Sequence, residues 1–133
     1  MAEAQKSEDP KSVVVRFNDA INARDLDRLV SLMTDDHLFV DPANAETRGR
    51  DAMKVAWQKF FAAFPDYRNQ FESVEQRDSV VVVAGRSACS VEALAGPALW
   101  RAVVRDGRVS EWRVYVDDEA TRRELGIAGK VTA

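Results

Sequence analysis

The chemistry this chain can offer gathers around the short stretch HLFVDP, residues 37–42. It holds the sole histidine, His37, and, four residues on, an aspartate, Asp41, directly before Pro42. The alternation of the stretch predicts a β-strand. Successive side chains then point to opposite faces, which puts His37, Phe39 and Asp41 on one face and Leu38 and Val40 on the other. A face that carries an imidazole and a carboxylate around a ring either meets water or lines a cavity where an acid and a base are wanted. At i and i+4 of a strand the two Cα atoms are about 13 Å apart, too far for a direct hydrogen bond but suited to opposite ends of a bound molecule. Two plainer roles stand beside this one. His37 can be a strand-entry residue at the rim, bonded to a backbone carbonyl, and Asp41 can cap the turn at Pro42. Phe17, Trp57, Phe61, Trp100 and Trp112 fit either an ordinary core or a ring-lined pocket for a flat apolar ligand.

The elements that must position these residues follow from spacing. Residues 1–9 are polar and predict a disordered lead-in. Asp9 and Pro10 open a helix with Val13, Val14, Phe17, Ala20 and Ile21 on one stripe. A second, shorter helix has Asp25 near its start and Leu26, Leu29, Val30 and Met33 facing inward. After the strand and a loop PANAETRGR, a third helix carries Met53, Ala56, Trp57, Phe60, Phe61 and Phe64, and Pro65 ends it. The chain then turns to strands: an alternating run from Asp66, a β-branched run from Ser79, and two arms joined at Asp106-Gly107, a strong hairpin signal. In those arms Trp100, Ala102 and Val104 share a phase opposite to Leu99, Arg101, Val103 and Arg105, and Trp112, Val114 and Val116 alternate with Arg113, Tyr115 and Asp117. The segment DEATRRELGI closes the domain as a short helix or turn, and 128–133 form a tail. Helices first and a strand meander after them predict an α+β domain over 10–127.

Bulk composition narrows the partners. At 133 residues the chain can bury a core without staples. A net charge of −3 with no dense Lys/Arg block argues against nucleic acid and anionic membranes. No apolar run reaches the length of a membrane span, and the N-terminus lacks the apolar core of a signal peptide. The single cysteine, Cys89, excludes an intramolecular disulfide, fits a reducing cytoplasm and reads as a small apolar residue of a strand. One His and one Cys argue against a zinc site, and no cofactor is expected.

The order of elements, with the words VVRFNDAINARDLDRLVSLMTDD, FVDP, RGRDAM and VRDGRVSEWRVYVDD, resembles the nuclear transport factor 2-like superfamily, and within it the SnoaL-like and ketosteroid isomerase-like proteins. The resemblance implies a cone: a curved antiparallel sheet wrapped around three N-terminal helices, with a deep apolar pocket and often a homodimer through the outer sheet face. Ketosteroid isomerases place their general base, an aspartate, directly before a proline after the first strand, and Asp41-Pro42 matches that position. Phe17 and Trp100 stand where those enzymes have the tyrosine and aspartate of the oxyanion hole. Limonene epoxide hydrolases on the same fold use an Asp–Arg–Asp set with a Tyr and an Asn. Phe39 and Asp41 fall where that Tyr and Asn belong, Val114 where the hairpin aspartate belongs, and Arg86 is a candidate for the arginine. The resemblance therefore implies an apolar cavity floored by Phe17, Phe39, Trp57, Trp100 and Trp112, with Asp41 as base and His37 or an indole N–H orienting a carbonyl. The activity expected is that of an isomerase, cyclase or dehydratase on a small apolar or aromatic molecule. A pocket that only binds an apolar metabolite is the alternative, and an epoxide hydrolase is a third possibility.

Overall fold

The computed structural model describes residues 9–127 of the chain; the expected tail at 128–133 and all but the last residue of the lead-in at 1–9 lie outside them. Helix α1 runs Pro10–Ala23, with Pro10 in its first turn where no N–H is needed. Val13, Val14, Phe17, Ala20 and Ile21 are all buried, as their stripe predicts. Asp9 takes the N-cap position without a side-chain hydrogen bond. Helix α2 runs only Leu26–Ser31, and the Asp25 carboxylate caps it by accepting the Arg28 N–H at 3.2 Å. Strand β1 then spans Met33–Val40, four residues longer at its start than the alternation predicts. Met33, read from helical spacing as the last inward residue of α2, is instead the first strand residue and pairs with Val109. An apolar residue at i+4 looks the same in sequence whether the helix continues or a strand begins.

Strand β2 (Glu46–Arg48) lies within the predicted loop, and helix α3 spans Arg50–Ala63. Strands β3 (Arg68–Arg77), β4 (Val80–Ala88), β5 (Gly96–Arg105) and β6 (Arg108–Val116) follow, and helix α4 (Glu119–Leu125) closes the described chain, capped by Asp118 on the Thr121 N–H at 2.7 Å. The sheet order is β2-β1-β6-β5-β4-β3. The fold is the expected α+β cone, with one correction: the sheet is mixed, because β1 and β6 pair in parallel. Strand direction depends on the long excursion between these two strands, which local alternation does not record.

Three irregularities interrupt the register of the sheet. One lies between Phe71 and Ser73 of β3, opposite Gly85 and Ala84; one lies between Val103 and Val104 of β5; and one lies between Met33 and Leu38 of β1, opposite Val109 and Glu111. An extra residue on one strand bends it and increases its twist. Helices α1 and α3 fill the concave side, where Phe17, Trp100 and Trp112 are buried almost completely. The opposite phase of the sheet has its own apolar cover: Leu99, Val82 and Ala84 pack under Leu125 of α4. Among the described residues no helix is long and apolar enough to cross a membrane.

Candidate functional site

Asp41 leaves β1 at a turn that its own side chain organises. Its Oδ1 accepts the backbone N–H groups of Ala43 and Ala45, both at 2.9 Å, and its backbone carbonyl accepts the Asn44 N–H at 2.9 Å. The capping role is therefore real, and it leaves the second carboxylate oxygen without a protein partner among the described residues. The same residue lies on the wall of a cavity of about 690 Å³. Phe39, Trp57 and Trp112 share that wall, so the strand phase and the helix stripe bring four of the expected residues together.

The other expected residues lie elsewhere. Phe17 and Trp100 do not floor the cavity. Phe17 packs beneath Trp112, its ring centroid 4.6 Å away, and Trp100 lies against Phe71 at 5.1 Å. Both are fully buried core, because the concave sheet is deep enough to need a layer of rings behind the wall. Phe61 sits on the flank of α3, half-buried, with the Arg24 guanidinium 5.9 Å from its centroid. Arg86 is exposed and, like Asp117, absent from the wall, while Val114 lines it, so the Asp–Arg–Asp arrangement is not assembled. Asp117 pairs with Arg122 at 2.6 Å. Cys89 is half-buried, with its Sγ 3.4 Å from an Asp66 oxygen.

His37 is not at the rim. It is fully buried, its ring stacked 5.8 Å from Phe17, and its Nδ1 donates to the Val109 carbonyl at 2.7 Å. That bond fixes the tautomer when the ring is neutral, so Nε2 carries a lone pair, and among the described residues this nitrogen has no partner. Burial holds its pKa below the ordinary value, which keeps the ring neutral near pH 7. The ring does not line the cavity.

The polar groups on the wall are mostly ones that spacing did not single out. Tyr67, just before β3, stands edge-on to Phe60 with centroids 4.8 Å apart, and its hydroxyl lies 3.2 Å from the Ser87 hydroxyl. Ser87 donates to Asn69 Oδ1 at 2.8 Å. Asn69 is in turn fixed from α1, its N–H donating to Asn22 Oδ1 and its carbonyl accepting Asn22 Nδ2, both at 2.9 Å. Burial pushes the Tyr67 phenol up from its ordinary value, so it stays protonated at neutral pH. One signal was available. Ser87 continues the inward phase of Val81, Val83 and Gly85, and a serine on a core face calls for a buried partner. Trp57 adds an indole N–H that is buried and unpartnered among the described residues. Taken together the wall is an apolar surface of rings that includes the carboxylate of Asp41, two tryptophans and the hydroxyl residues Thr47, Tyr67, Ser87 and Tyr115, a composition suited to a flat molecule with few oxygen atoms.

The sequence profile of a family described as the SnoaL-like domain matches residues 14–121. No curated protein sequence matches the chain. Solved structures resemble it closely in fold. A protein of Shewanella putrefaciens CN-32, provisionally named a SnoaL-like polyketide cyclase, superposes with a TM-score of 0.72 at 20% identity, covering 94% of this chain and 92% of its own. An LEH-like epoxide hydrolase of M. tuberculosis gives 0.72 at 18% identity over 81% and 82%. A Kribbella flavida DSM 17836 protein, provisionally named a ketosteroid isomerase, gives 0.70 at 16% over 93% and 90%. At such identities the likeness is one of fold.

Proposed function

We propose that this chain, which belongs to the SnoaL-like domain family, takes a small, largely apolar carbonyl compound into its cavity and moves a proton on it with Asp41. The observation that carries the reading is the state of that carboxylate. It lies on the wall of an apolar cavity, one oxygen is held by two turn amides, and the other is unengaged among the described residues. A base must be oriented and still have a lone pair to use. Asp41 takes the proton from the carbon next to the carbonyl, the C–H electron pair becomes the new C=C bond, and the carbonyl pair moves onto oxygen. The donor assigned to that oxygen is a wall hydroxyl, of Thr47 or Tyr115, because the Trp57 indole N–H is buried with almost no exposed surface. Return of the proton to another carbon gives an isomerase. Attack of the enolate carbon on a second carbonyl gives a cyclase. Departure of a β-hydroxyl with the proton from Asp41, as water, gives a dehydratase. His37, off the wall and bonded to Val109, is assigned to packing.

A second reading, binding without turnover, draws on the engagement of Tyr67 by Ser87, which takes one wall hydroxyl away from an enolate, whose electrostatic stabilisation is usually the largest catalytic term. Thermal-shift screening of steroids, terpenoids and aromatic polyketides, followed by turnover assays on the compounds that stabilise, decides between them. An amide oxygen at position 41 can still accept the turn N–H groups, so Asp41→Asn should keep the melting temperature and ligand binding. It should also lower kcat by about a hundredfold or more. Asp41→Ala removes the cap as well and should cost about 1 kcal/mol of stability. Turnover unchanged in Asp41→Asn removes the base assignment, and ligand binding with no turnover in either form leaves the binding reading.

A further inference from the structure

The hydrogen-bonded chain at the Tyr67 end of the cavity has a direction, and that direction specifies a ligand group. Asn69 Oδ1 is a carbonyl oxygen and can only accept. It stands 2.8 Å from Ser87 Oγ, so the single hydrogen of Ser87 is committed to it. The 3.2 Å contact between the hydroxyls of Ser87 and Tyr67 can then be made only by the Tyr67 proton, donated to Ser87. A phenol that has given away its one hydrogen has only lone pairs left to offer. The backbone that carries this chain of bonds is firmly held. Asn69 and Ser87 are direct cross-strand partners in the β3–β4 register, both are at least nine-tenths buried, and Asn22 clamps the Asn69 backbone from α1 at two points.

The geometry points to a cavity that selects, at its Tyr67 end, a ligand carrying a hydrogen-bond donor, a hydroxyl on a flat apolar frame, over the same frame bearing an acceptor there. Asn69 is the positioning residue that sets this preference, acting through Ser87 and without touching the ligand. The inference rests on the cavity being a ligand site, as proposed above, and adds which oxygen function the ligand presents. The hydroxyl selected at Tyr67 is a second oxygen function of the ligand, apart from the carbonyl whose neighbouring C–H faces Asp41. A site built to pair with a ligand O–H discriminates strongly against analogues lacking it, because its own buried group is then left unpaired.

The test compares 2-naphthol with 2-methoxynaphthalene, which has the same frame and oxygen but no hydrogen to donate, by calorimetric titration of the full chain. Wild type should bind 2-naphthol about tenfold more tightly, the effect of one hydrogen bond at a buried partner. Ser87→Ala frees the Tyr67 proton, so the ratio should collapse because the ether gains affinity, a change that loss of packing alone does not produce. Tyr67→Phe should also collapse it, in this case because 2-naphthol weakens. Equal binding by wild type, or a preference for the ether, overturns the assigned direction while leaving the cavity reading standing. A tenfold preference that neither substitution alters overturns it too, since the discrimination then arises elsewhere. Binding of neither probe overturns the inference, and the thermal-shift screen shows whether the cavity reading falls with it.

Discussion

His37 is the sole imidazole of the chain and lies in the core, and its setting makes acid stability depend on it. The folded protein holds it neutral, chiefly through burial, against the smaller opposing pull of the Val109 carbonyl and the charges of Asp36 and Glu111. Protonation would add an N–H at Nε2, where no partner stands among the described residues. The folded-state pKa lies below the ordinary 6.5, so the unfolded chain binds more protons in that range. The stability His37 contributes is complete above pH 6.5 and is lost as the pH falls through the lower folded value, with a slope of up to about 1.4 kcal/mol per pH unit. Asp36 acts in a separate window. The Arg105 guanidinium, then the Thr34 hydroxyl, hold its carboxyl down at about 2, so its contribution begins to fade only below 3.8. Chemical denaturation between pH 8 and 5 should therefore show a decline in wild type and a flat profile in His37→Leu. The variant should start about 1–2 kcal/mol lower, because the Val109 carbonyl loses its donor. A wild-type profile that is flat over this range would mean that His37 charges without penalty.

Among the elements, what was legible in the sequence and what was not divide along a physical line. Asp106-Gly107 predicted the hairpin because both residues must take positive φ, and they do, at 54° and 74°. Pro10, Pro65 and the stripe of α1 marked their elements because each acts within a few residues. The bulge of β3 left one trace, a glycine inside a β-branched run. Gly85 pairs with Phe71 at the bend, and a Cβ placed on it would lie 2.1 Å from the Gln70 carbonyl oxygen. That atom is backbone and cannot swing aside. Gly85→Ala should therefore straighten or part the strands and cost about 1–3 kcal/mol in urea unfolding. A variant as stable as wild type would show that the close approach of β3 to β4 is dispensable. The bulge also resets the pairing on which the site depends, since Asn69 faces Ser87 on one side of it and Val74 faces Val83 on the other. Tyr67, Ser87 and Asn69 escaped sequence reading for this reason: they become neighbours only through cross-strand register. Asp41, Phe39, Trp57 and Trp112 were legible because strand phase, helix stripe and resemblance all turned them inward.

For the whole molecule, the question is what covers the outer face of the sheet. The apolar residues read on that face, Leu99 above all, are covered from within by Leu125, so they do not of themselves demand a partner. What remains is a half-buried band across β5 and β6. Val103 lies there beside Glu111, which accepts from both Arg101 and Arg113 at 3.1 Å. A carboxylate already shared by two guanidinium groups can be taken from water at less cost than a lone charge, provided its partners stay in place. A two-fold interface requires such a patch to face its own copy, and a stable one buries about 800 Å² on each partner. The homodimer that the resemblance implies through this face makes a direct prediction. Light scattering at micromolar concentration should give twice 14.9 kDa. Glu111→Lys sets three cations side by side on each copy, and it should yield a monomer whose circular dichroism matches wild type. A wild-type monomer at that concentration removes the dimer, and a Glu111→Lys dimer moves the interface off this band. The cavity reading survives either result, because every residue assigned to the ligand in it comes from one chain.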